Sequence, residues 1–123
     1  MNTSIIFHSV CGNTYLMAKA FQESLLSMGH QAGIFRIADP GWAEKPDLSE
    51  KARANLRNMV TLPLATPAVM QAADLIVLGS PTYFGNVSAQ MKAFMDSTGG
   101  LWFPGKLIGK KLAAFASAGN TEG

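Results

Sequence analysis

A chain of 123 residues, 48% hydrophobic and 15% charged, can bury one compact core and is too short for two domains. Its formal net charge of +2 is spread thinly, with no basic run and no acidic excess; this argues against a nucleic-acid partner and against a small carrier that docks by charge alone. The single cysteine, Cys11, rules out an internal disulfide framework; no apolar run nears the roughly 18 residues needed to cross a bilayer, and Ile5-Ile6-Phe7 is too short and unflanked for a signal peptide, so a cytoplasmic protein without membrane insertion is expected.

Residues 4–10 form an almost continuous apolar run and predict a strand covered on both faces. A helix follows over residues 14–28, with Met17, Phe21, Leu25 and Met28 on its expected inner stripe and Gly29 as the stop. Residues 32–37 place Arg36 between Phe35 and Ile37, which suits an edge strand. A second helix is expected over residues 47–59, opened by an Asp47/Glu50 capping box and burying Leu48, Ala52, Leu56 and Met59. Thr66-Pro67 reads as an N-cap with proline in the first turn of a short helix. Residues 74–79 predict another buried strand. Residues 87–98 predict a helix with Val87, Met91, Phe94 and Met95 inward, ended by Gly99-Gly100, and residues 111–117 predict the last strand. Strands alternating with helices imply an α/β, doubly wound parallel sheet with ligands outside the carboxyl ends of the strands.

Three loops leave those strand ends. Ser9, Val10, Cys11, Gly12, Asn13 and Thr14 connect a buried strand to a helix. They offer hydroxyl, amide and backbone donors but no lysine or arginine, which suits a phosphomonoester better than a triphosphate. An ordinary N-cap at Asn13 or Thr14 explains the same residues equally well. Pro81, Thr82, Tyr83, Phe84, Gly85 and Asn86 hold an aromatic pair that could border a flat ring or merely cover a helix end. Ser117, Ala118, Gly119 and Asn120 are small enough for close backbone approach, or simply a loop. Their convergence on one crevice favours the binding reading. Met17, Met28, Met91 and Met95 read as core packing, and no residues are assigned to a metal.

Residues 9–14, the run Pro-Thr-Tyr-Phe-Gly-Asn at 81–86 followed by Ser88-Ala89-Gln90-Met91-Lys92, and Ser97-Thr98-Gly99-Gly100-Leu101-Trp102 resemble the WrbA-like NAD(P)H:quinone oxidoreductases of the flavodoxin-like superfamily. The resemblance implies a flavodoxin-like, FMN-binding single domain over residues 1–123. The FMN phosphate would lie on residues 9–14, and its ring beside residues 81–84 and 117–120. NAD(P)H would be the co-substrate, a quinone-like small molecule the acceptor, and Trp102 would line the substrate pocket. No side chain is assigned a catalytic role, because the flavin carries the chemistry. Cys11 stands where the family often has a tyrosine. Family members continue past this length, so the sheet is read as truncated after its fourth strand, lacking a carboxyl-terminal strand and helix. Strand 111–117 is then an exposed edge and one flank of the first helix is uncovered. A homodimer or homotetramer is expected on the same grounds. The alternatives are a flavodoxin-type electron carrier and a non-enzymatic flavodoxin-like remnant.

Overall fold

The computed structural model describes residues 1–41 and 48–119. In chain order the elements are β1 (Asn2–Phe7), α1 (Asn13–Ser27), β2 (Gln31–Arg36), α2 (Glu50–Met59), α3 (Pro67–Gln71), β3 (Leu75–Tyr83), β4 (Asn86–Val87), α4 (Ala89–Asp96), α5 (Gly99–Trp102) and β5 (Lys111–Ser117). The four long strands are parallel in the order β2-β1-β3-β5, and β4 turns back antiparallel on the end of β3.

Alternation along the strands divides the interior into two cores. Ile5, Phe7 and Val77 face one side of the sheet, where Tyr15, Ala18 and Leu25 of α1 and Met59 of α2 pack on them. Ile6 and Ile76 face the other side, against Met70 of α3, Met91 and Phe94 of α4 and Leu101 of α5. The strands need apolar residues at successive positions because both faces are covered. Each such side chain, fully buried, contributes about 1.5–3 kcal/mol.

Several local expectations change. The buried face of α1 is Thr14, Tyr15, Ala18 and Leu25, whereas Phe21 and Met28 of the expected stripe are exposed. Phe21 stacks instead on Phe115 of β5, with ring centroids 5.0 Å apart. Met28 and Met95 are therefore not core residues, while Met91 is. Ser49, not Asp47, caps α2, its hydroxyl accepting from the Ala52 amide; Asp47 lies outside the described residues. Val87 belongs to the β4 hairpin and is exposed, and Ser88 caps α4 by accepting from the Met91 amide. Gly99-Gly100 does not end the region but opens the short α5.

The edge strand β2 is shielded on its outer side. Arg36 exchanges backbone hydrogen bonds with Pro63 and Ala65, and its Nε donates to the Leu62 carbonyl. The opposite edge, β5, pairs only with β3 among the described residues, and Leu112 on it is exposed. Gly79 leaves room for the Phe115 ring to lie over β3: a Cβ there would meet that ring at 2.2 Å. Among the described residues no helix is long and apolar enough to cross a membrane.

Candidate functional site

The site lies at the carboxyl ends of β1, β3 and β5. The β1 ladder runs on past the strand, with the His8 amide donating to the Gly79 carbonyl, and this fixes where the first loop starts. Ser9 is buried and its Oγ accepts from the Gly12 amide at 3.1 Å, which curls the loop. Gly12 is the N-cap of α1 at φ 104, a conformation that side-chain-bearing residues rarely adopt. A Cβ at Gly12 would also collide with Asn55, whose amide donates to the Cys11 carbonyl at 3.1 Å. Neither Asn13 nor Thr14 is the cap. Asn13 is the first helical residue, and no side chain caps the helix.

That arrangement suits an anion. The opening amides of α1 have no acceptor within the helix, and they sit at its positive end. Cys11 and Asn13 are exposed beside them, Val10 is half-buried, and Thr14 is buried. The Thr14 hydroxyl lies 2.8 Å from the Ser117 hydroxyl at the end of β5. A hydroxyl both donates and accepts, so this contact leaves Thr14 hydrogen-bonding capacity for a second partner. Thr82 completes the junction by donating to the Ser117 carbonyl at 3.3 Å. Thus residues from all three loops meet, as their placement at strand ends requires. Ala118 and Gly119 follow, exposed; Asn120 lies outside the described residues.

The second loop is not a simple turn after Gly79. β3 runs on through Ser80, Pro81, Thr82 and Tyr83, because Ser80 and Pro81 pair with Ala116 and Ser117 and the hairpin pairs Thr82 with Val87. Phe84 and Gly85 form the tip, both with positive φ (53 and 72). Two such residues make a tight hairpin turn, and a bulky residue in the first position is strained. Phe84 projects fully into solvent and Tyr83 is half exposed, so neither belongs to the core; Asn86 is exposed at the start of β4. Burial, then the Cys11 and Asp39 charges, push the Tyr83 phenol above its ordinary pKa.

Trp102, at the end of α5, is 74% exposed with the exposed Phe103 next in sequence, and it takes no part in the hydrogen bonds that join Thr14, Thr82 and Ser117. An apolar groove of about 450 Å³ runs behind the hairpin along β5, lined by Leu78, Pro81, Val87, Met91 and Ala114 among others; no residue of 9–14 lines it.

Sequence reasoning did not single out Asp39 or Asn55. Asp39 is buried just past β2, its Oδ2 2.8 Å from His8 Nε2. The available signal was a histidine and an aspartate, each just beyond the end of one of two adjacent strands. Asn55 carries no such signal, because its contact depends on how α2 packs.

Residues 5–123 match the family described as NADPH-dependent FMN reductase. The chain is 37% identical over 120 residues to an NAD(P)H dehydrogenase (quinone) of Deinococcus radiodurans, covering 98% of this chain and 60% of that protein. It is 36% identical over 126 residues to one of Geobacter sulfurreducens, covering 100% and 61%. The chain thus spans about three-fifths of the length of these relatives. Among solved structures, a flavodoxin, WrbA-like protein from Agrobacterium tumefaciens superposes with a TM-score of 0.68 at 30% identity, over 97% of this chain and 60% of that one. A flavodoxin from the domain Archaea shares the fold at 20% identity and TM-score 0.64, over 99% and 66%.

Proposed function

This chain belongs to the NADPH-dependent FMN reductase family, and on that premise we propose that it is the FMN-holding part of an NAD(P)H:quinone oxidoreductase. The observation that carries the reading is the junction of Thr14, Thr82 and Ser117 beside the uncapped first turn of α1. It brings a helix end suited to an anion and two further strand ends to one place. The donor set fits a phosphomonoester: the amides of α1 and the Asn13 and Thr14 side chains would hold the phosphate, with no cation required. Pro81, Thr82, Tyr83, Phe84, Gly85 and Asn86 of the hairpin, and the residues from Ser117 onward, would border the ring. When bound, FMN supplies the two-electron chemistry between NAD(P)H and a quinone. The protein's part is to position the reactants and limit water. Trp102 would meet the substrate, and this reading includes a cytoplasmic location and a homo-oligomer.

The test is the visible spectrum of the chain reconstituted with FMN, then mixed with NAD(P)H and a quinone. Bleaching by NAD(P)H followed by reoxidation by quinone is the expected result. A flavin that is bound but not reduced by NAD(P)H indicates an electron carrier instead, and absence of FMN binding overturns the reading.

A further inference from the structure

His8 and Asp39 form a buried pair just past the ends of β1 and β2, with His8 immediately preceding the first loop. Both side chains are almost wholly excluded from solvent, 1% and 4% exposed. A carboxylate can only accept, so His8 Nε2 carries the proton it donates to Asp39 Oδ2 at 2.8 Å. Asp39 Oδ1 accepts from the Gly41 amide at 3.1 Å, which folds the exit of β2 around the carboxylate. The backbone brackets the imidazole as well. His8 donates to Gly79 on one side, and Ile37 donates to the Phe7 carbonyl on the other. The next residue, Ser9, holds the Gly12 amide in the loop.

The charge of this pair bears on any anion above it. A buried carboxylate beside an anion-binding loop opposes a phosphate, and a protonated imidazole on that carboxylate cancels the opposition. Among the described residues, Tyr83 of the hairpin and Cys11 of the loop are further titratable groups at this corner; the Cys11 and Asp39 charges both reach the Tyr83 phenol. Phenols and thiols ordinarily ionise above the imidazole range, so of these three groups the imidazole is the one whose ordinary range lies nearest neutral pH.

We propose that the His8–Asp39 pair is a proton-linked positioning clamp adjoining residues 9–14, which favours a bound phosphate when His8 is protonated and disfavours it when His8 is neutral. The inference rests on the phosphate placement proposed above. The sign follows from linkage: phosphate raises the His8 pKa, so affinity is greatest below the free-state value and is lost as pH rises through the phosphate-bound value.

Two measurements test it. The first follows the His8 imidazole by NMR in the 123-residue chain, with and without saturating inorganic phosphate. A rise of about one pH unit is expected, equivalent to a tenfold change in affinity. The second compares FMN and riboflavin dissociation constants of the wild type, His8→Gln and Asp39→Asn between about pH 5 and 8. Wild type should bind FMN about tenfold more tightly than His8→Gln at the acid end and equally at the alkaline end. Riboflavin, which lacks the phosphate, should show no such difference, and Asp39→Asn should move the transition to lower pH. The comparison with His8→Gln removes the titration of the FMN phosphate itself. A His8 titration indifferent to inorganic phosphate overturns the clamp even if both variants fail to fold. FMN binding with one pH profile in wild type and His8→Gln overturns the clamp and leaves the flavin reading standing. A phosphate-sensitive His8 in a chain that ignores FMN supports the clamp and sinks the flavin reading.

Discussion

The hydroxyl of Thr14 lies 2.8 Å from that of Ser117, a contact that ties the first turn of α1 to the end of β5 across 103 positions of sequence. It makes the first loop and the last strand parts of one site. It also means that a change at Thr14 acts in two ways, through a ligand and through Ser117.

The two effects separate in a pair of variants. Thr14→Val keeps the shape and removes a donor to a charged phosphate, worth about 1.5–3 kcal/mol, while also breaking the Ser117 contact. Ser117→Ala breaks the contact and removes no group placed on the phosphate. FMN titration by fluorescence should show Thr14→Val weakened about tenfold or more and Ser117→Ala weakened less. Equal losses in the two would place the phosphate elsewhere.

Phe84 at φ 53 stores strain at the hairpin tip. Glycine adopts that conformation without the Cβ penalty, which is about 1–2 kcal/mol. Phe84→Gly is therefore expected to leave the apo protein as stable as wild type, or more so, in thermal melts. Its FMN affinity should fall if the ring borders the flavin. Unfolding of Phe84→Gly or Tyr83→Ala would mean that these aromatics serve the core after all.

The Tyr83 phenol, raised above 10.0 by burial first and then by Cys11 and Asp39, makes a pH prediction. The folded state holds this proton more tightly than the unfolded chain does. Its contribution to stability is full below about pH 10 and is lost as pH rises through the folded value. Phenolate absorbance in a Tyr15→Phe background, where Tyr83 is the remaining tyrosine, should show the upward shift. Cys11→Ser should reduce it. A midpoint at the unperturbed value in both would refute the partial burial of Tyr83 beside these charges.

Leu112 is 68% exposed on β5, which pairs on one side only among the described residues. Exposed strand edges with apolar side chains recruit further surfaces. Sedimentation is expected to show dimers or larger species, shifted toward monomer by Leu112→Lys. A single monomeric species for the wild type at working concentration would count against the proposed homo-oligomer.

The sequence by itself determined the parallel α/β framework, the full extent of β5 and the first loop between β1 and α1. Those features rest on local signals: runs of apolar residues too short for helices, and small or hydroxyl-bearing residues where strands give way to turns. Tertiary structure decided what such signals leave open. The apolar stripe of α1 is only partly its buried face: Leu25 is buried, but the sheet presents Ile5 and Phe7, against which Tyr15 and the small Ala18 pack, while Phe21 stacks on Phe115. β3 runs on to Tyr83 because β5 and β4 supply partners for its backbone, which no propensity within residues 80–83 specifies. His8 and Asp39 meet because two parallel strands end side by side, so that residues 31 positions apart come within 2.8 Å in a space closed to water. A buried polar group must find a partner there, and the choice of partner belongs to the packing of the whole sheet.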